Sequence, residues 1–160
     1  MWPKLTGTGA VDACLVAAAD EAWRCGERRI GTDHLLLALL HDPQTAALLG
    51  ASVGQGRAAL VALDEEALGA IGLDVRGLEL PEPPAGRRRP AMVRNQASAG
   101  LREVISRAVA HNGGRVRGLQ PRHLLRSLLA EGPPEPSAVL FDRLGVDTAA
   151  VHELLQTAAA

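Results

Sequence analysis

An all-α fold of eight helices, set out as two pseudo-symmetric four-helix repeats, is what this sequence predicts, and three observations lead to it. The first is a motif used twice. Ile30-Gly31-Thr32-Asp33-His34-Leu35-Leu36-Leu37-Ala38-Leu39-Leu40 returns in weaker form as Leu119-Gln120-Pro121-Arg122-His123-Leu124-Leu125-Arg126-Ser127-Leu128-Leu129, with the histidines 89 positions apart. The same offset pairs Leu15 with Val104, Val16 with Ile105, Ala19 with Ala108 and Arg28 with Arg117, which marks an internal duplication. The second is composition: 47% of residues are hydrophobic but only 2% are aromatic. A core of Ala, Leu and Val suits close-packed helices better than strands, which favour aromatic and β-branched residues. The third is periodicity, since apolar residues recur at three- and four-residue steps.

Each element follows in order. Val11, Cys14, Leu15, Ala18, Ala22 and Cys25 form one apolar stripe, with Asp20, Glu21 and Arg24 outside it and Gly26 as the stop. A second helix opens at Gly31-Thr32-Asp33, where either of the first two can cap and Asp33 meets the positive end of the helix dipole. Leu35 to Leu40 is apolar nearly all round, so this helix is central. Asp42-Pro43 breaks it and opens a short third helix to Leu49. Gly54 and Gly56 bound a turn, and a fourth helix carries Leu60, Leu63, Ala67, Leu68 and Ile71. In the second repeat, Leu101, Val104, Ile105, Ala108 and Val109 make the first stripe, stopped by Asn112-Gly113-Gly114. Pro121 starts the next helix. Pro133-Pro134-Glu135-Pro136 separates it from a helix over 137–144, and Asp147 caps a last one bearing Val151, Leu154, Leu155 and Ala158. Here the offset becomes 91, pairing Leu49 with Leu140 and Gly54 with Gly145.

One domain over residues 1–160 is expected, with repeat one at 8–72, a linker at 73–94 and repeat two at 95–160. The linker is rich in proline and carries Arg87-Arg88-Arg89. A lone four-helix unit buries little surface, so the repeats should pack together. The formal net charge is −1, which excludes a general attraction to nucleic acid or membrane. Charge is uneven, however: residues 87–126 hold ten arginines and one acid, against twelve acids and six basic residues in 1–86. That segment could meet an acidic protein or a nucleic acid, but it has no Phe, Tyr or Trp on which bases could stack. Cys14 and Cys25 would lie ~16 Å apart on one helix, beyond disulfide reach, and are read as reduced core thiols of a cytoplasmic protein. No apolar run approaches a membrane span, and no leader pattern opens the chain.

The paired motifs resemble those of the N-terminal repeat domain of the Clp unfoldase ATPases. The resemblance rests on Asp20-Glu21-Ala22 through Gly26, on Ile30 to Leu40 with Asp33 where that family has Glu, and on Leu140 to Gly145 followed by Val146-Asp147. It covers nearly the whole chain. No Gly-x-x-x-x-Gly-Lys-Ser/Thr loop is present to cradle a nucleotide, so the expectation is a free-standing, monomeric recognition domain without a motor. The resemblance implies a non-catalytic protein that binds substrates, adaptors or peptides of the Clp system, modulating a Clp unfoldase or sequestering peptide antibiotics.

The candidate site is the start of the second helix of each repeat, where unpaired N–H groups can hold an anion and a carboxylate can grip a guanidinium. The ClpC branch reads phosphoarginine there, which implies Thr32 and Gly31 beside the phosphate and Asp33 on the guanidinium. The plainer reading of Thr32 and Asp33 is that they merely cap the helix, with the ligand role in addition as the alternative. In the second repeat Pro121 and Arg122 replace the hydroxyl and the acid, and the site should be lost. Trp2 and Leu37 are read first as core residues; the alternative makes them candidates for an exposed apolar groove that receives peptides. His34, His41 and His123 lack evident metal-ligand partners, and neither cysteine has an activating base, so no metal, cofactor or catalytic residue is expected.

Overall fold

The computed structural model describes residues 9–78 and 95–158. Eight α-helices and no strand are found among them. The first, α1 (Ala10–Arg24), buries Val11, Cys14, Leu15, Ala18 and Ala22 along the expected stripe, and Gly26 reverses the chain at φ +75°. Next comes α2 (Thr32–Leu39), in which every residue is buried. Asp42 accepts from Thr45 N at 2.9 Å and so caps α3 (Pro43–Leu49), whose Pro43 occupies the first turn without wasting a donor.

The fourth helix begins earlier than expected. α4 (Val53–Ala70) is opened by Ser52 and Gln55, which cap one another's backbone N–H groups at 3.2 and 2.8 Å. Gly54 and Gly56 therefore sit inside a helix, not at a turn. The two cap bonds offset the poor helix propensity of glycine. Gly56 is also where α4 crosses α2: a Cβ there would lie 2.7 Å from Leu37 Cδ2 and 3.0 Å from Leu40 Cδ1.

The helices of the C-terminal half are also opened by caps and prolines. α5 (Ala99–His111) is capped by Ser98, which accepts from Leu101 N at 3.1 Å. α6 (Pro121–Leu129) and α7 (Pro136–Arg143) each start on a proline. α8 (Thr148–Thr157) is capped by Asp147, which accepts from Ala150 N at 3.0 Å.

Packing centres on α2, which touches α1, α4, α5, α6 and α7, so both halves of the chain share one core. Leu35, Leu36, Leu37, Leu124, Leu125, Leu128 and Phe141 are at most 2% exposed within it. Truncating one such leucine to alanine would cost about 3 kcal/mol. Ahead of α2 the chain is also tied across halves. Ile30 N donates to Gln96 O at 2.8 Å and Ser98 N donates to Ile30 O at 2.9 Å. These two bonds set the start of α2 beside the start of α5.

Two expectations change, and for Leu37 the core reading holds over the groove. Leu37 is fully buried against Gly56; as core it cannot line an open groove, because every face of α2 meets another helix. Glu21 was expected outside the stripe yet is 2% exposed, because Arg57 and His41 neutralise it there. Cys25 is exposed, just past the end of α1, and only Cys14 is a core thiol. Trp2 and the run Arg87 to Arg89 lie outside the described residues.

Candidate functional site

A cleft of about 580 Å³ opens where the starts of α2, α5 and α7 meet the flank of α4. The loop before α2 supplies Glu27 and Arg29, and α2 supplies Asp33. Leu60, Leu63 and Asp64 come from α4, and Glu135 and Val139 from the start of α7. Four carboxylates thus face one arginine across walls of leucine and valine. Both halves of the chain contribute, so the site is not confined to residues 8–72.

Thr32, Asp33 and His34 occupy the first turn of α2 and do three different things. Thr32 is fully buried; its hydroxyl donates to Glu135 Oε1 at 2.8 Å and accepts from Ser137 N at 3.2 Å. It tethers α2 to α7. Asp33 is 7% exposed and lines the cleft. It accepts no hydrogen bond among the described residues, and its Oδ1 lies 3.3 Å from His34 Nδ1. A buried carboxylate without a donor is costly; the dipole of α2 offsets part of that cost. His34 is fully buried, and its Nδ1 accepts from Gly31 N at 2.9 Å.

That bond decides the histidine's chemistry. With the Nδ1 lone pair committed to Gly31, the neutral ring carries its proton on Nε2, which has no hydrogen-bond partner among the described residues and lies 3.8 Å from Glu27 Oε1. Ligand atoms of Glu27, Asp33 and His34 do fall within 4.8 Å of one another. Even so, the imidazole has no lone pair to offer a metal, and two carboxylates alone make a poor transition-metal set.

The carboxylates crowd one another. Burial pushes the Glu27 carboxyl above its ordinary value, and Asp33 and Asp64 push it the same way. Burial and then Asp33 raise Asp64 likewise. Glu27, Asp33 and Asp64 gather negative charge at one mouth of the cleft, and a cationic group entering it would be attracted there.

The second motif reproduces the histidine but not the acids. Gln120 N donates to His123 Nδ1 at 2.9 Å, matching the Gly31–His34 bond. Val116, Arg122 and Leu155 stand where offsets of 89, 89 and 91 place the counterparts of Glu27, Asp33 and Asp64. Arg122 is exposed, and no carboxylate among the described residues pairs with it. Arg126, opposite number of Leu37, is half-buried.

Of the site residues foreseen in the sequence, Gly31, Thr32 and Asp33 come together here, whereas Arg122 and Leu37 do not join them. Glu27, Asp64 and Glu135 were missed. Asp64-Glu65-Glu66 resembles any solvated helix face, and Glu135 sits in a proline-rich turn 103 positions from Thr32; no local pattern links them.

Away from the cleft, Arg57 grips Glu21 through Nε and Nη2 at 3.0 and 2.6 Å, and His41 Nε2 reaches it at 2.8 Å. Burial raises the Cys14 thiol to about 12 and, with nearby acids, the Cys25 thiol to about 11, so neither is a thiolate at neutral pH. No single helix among the described residues is long and apolar enough to cross a membrane. No protein-family model matches the chain, and no curated protein emerges as a relative.

Proposed function

We propose that this protein is a non-catalytic recognition module, cytoplasmic and monomeric, built from two pseudo-symmetric four-helix repeats of the Clp N-terminal type. Its ligands are peptides or segments of proteins, held at the cleft beside the start of α2. The observation that carries this reading is Asp33: a nine-tenths buried carboxylate that lines an open cleft and receives no hydrogen bond among the described residues. A ligand bringing N–H donors would complete it. The paired bonds from Gly31 N to His34 and from Gln120 N to His123 support the duplication, because the same device recurs at matching positions.

On the resemblance to the Clp system, the ligand is a substrate, adaptor or peptide destined for a Clp unfoldase, and phosphoarginine is the modification to test first. Calorimetric titration of arginine-bearing peptides, with and without phosphate on the guanidinium, checks the reading. Binding that vanishes in Asp33→Asn supports it; binding indifferent to that change, or ATP turnover by the pure chain, refutes it.

A second reading is favoured by the arginines between α5 and α6 and on the first turn of α6. Arg115, Arg117 and Arg122 are exposed and without carboxylate partners among the described residues. His111 and His123 are held below their ordinary values, by burial first and by neighbouring arginines next. This face suits an acidic protein surface. A nucleic acid is the alternative occupant, recognised by binding that weakens steeply with salt and is indifferent to Asp33.

A further inference from the structure

We infer that Glu135 is a specificity-determining residue: it fills the place an anion would take in the cleft, so that the cleft selects an unmodified cationic side chain, guanidinium or ammonium, over one bearing a phosphate. This rests on the recognition role proposed for the cleft and names its ligand class.

Three observations carry it. First, the hydroxyl that would serve a phosphate is spent. Thr32 Oγ1 donates to Glu135 Oε1 and accepts from Ser137 N, which leaves it no proton for a ligand. Second, the Glu135 carboxylate already occupies the anion position. The bonds between Ile30 and Gln96–Ser98 set the starts of α2 and α5 side by side, and the positive ends of both helix dipoles converge there. Glu135 lies on this spot, so close to Gly100 in the first turn of α5 that a Cβ on that glycine would overlap its carboxylate. The chain thus supplies its own anion from α7. Third, what remains open is acidic. Asp33 is nine-tenths buried and has no donor among the described residues, with Glu27 and Asp64 beside it. Leu60, Leu63 and Val139 offer an apolar channel for the methylene stem of a lysine or arginine. A phosphate entering with a charge of about −2 would meet four carboxylates and one arginine.

The test uses two end-capped peptides that are identical except for phosphate on a central arginine. Each is titrated by calorimetry into the wild-type chain and into Glu135→Gln, Gly100→Ala and Asp33→Asn, with circular dichroism to verify folding. Gly100→Ala keeps every charge but drives the Glu135 carboxylate off its seat, so it tests the idea even if Glu135→Gln fails to fold. The wild type should bind the unmodified peptide at least about tenfold more tightly. Glu135→Gln and Gly100→Ala should both narrow that ratio by admitting the phosphate, and Asp33→Asn should abolish binding of the unmodified peptide. A wild-type preference for the phosphorylated peptide, or a ratio unmoved in both variants, overturns the role of Glu135. The recognition reading then survives if Asp33→Asn still abolishes binding. Absence of binding by either peptide to the wild type overturns both.

Discussion

The Thr32 hydroxyl donates to Glu135 Oε1 at 2.8 Å across 103 positions of the chain, and Ser137 N returns a bond to the same hydroxyl at 3.2 Å. One side chain of α2 thereby anchors the first turn of α7. Thr32→Val keeps the shape but leaves Ser137 N and Glu135 without a partner. A buried donor left unpaired costs on the order of 1–3 kcal/mol, and we expect a loss of about 2 kcal/mol in urea unfolding. A change under about 0.5 kcal/mol, the size of an ordinary surface substitution, would show that the tether contributes nothing.

Glu21 should make stability depend on pH in the acid range. Burial alone raises its carboxyl, but the hydrogen bonds from Arg57 and His41 more than reverse this and leave it below its ordinary 4.5. A group lowered in the folded state contributes stability above its unfolded value and loses it as pH falls through the folded one. Arg57→Ala should therefore cost about 2 kcal/mol at neutral pH, less than a wholly orphaned buried charge because His41 remains. The gap to wild type should close below pH 4.5. Denaturant midpoints measured from pH 7 to pH 3 check both statements.

His34 and His123 make the same bond in different surroundings. His34 is fully buried, whereas His123 is only half-buried. His34→Ala should cost about 3 kcal/mol, combining a core cavity with a lost cap, and His123→Ala about 1 kcal/mol from the cap alone. Equal losses in thermal unfolding would mean that burial does not distinguish the two copies.

Asp64 should oppose folding when ionised. Burial and Asp33 raise its carboxyl above the ordinary 3.8. A group raised in the folded state contributes stability below its unfolded value, and that contribution is lost as pH rises through the folded value. Asp64→Asn should thus raise the melting temperature at pH 7 and give no gain at pH 3, where wild-type Asp64 is already protonated. A lower melting temperature at pH 7 would show that Asp64 is paired in a way the cleft geometry does not include.

What the amino-acid order determined by itself was local. Helix stripes, the Asp42-Pro43 and Asp147 caps, the glycine stop at Gly26 and the repeated histidine motif all follow from interactions within a few residues, and period and cap chemistry reveal them. Even there Ser52 and Gln55 overrode the turn signal of Gly54 and Gly56, by two side-chain bonds at a spacing of three. Tertiary structure alone decided which charges are buried and which residues meet. Glu21 lies inside because Arg57, 36 positions away, pairs with it, and Leu37 belongs to the core because α4 crosses it at a glycine. The acidic cleft exists because the Ile30–Gln96 and Thr32–Glu135 bonds draw the starts of three helices together. A carboxylate's identity is written in the sequence, but its energy depends on the dielectric and the partners around it, and those are set by chain segments that no local pattern can place.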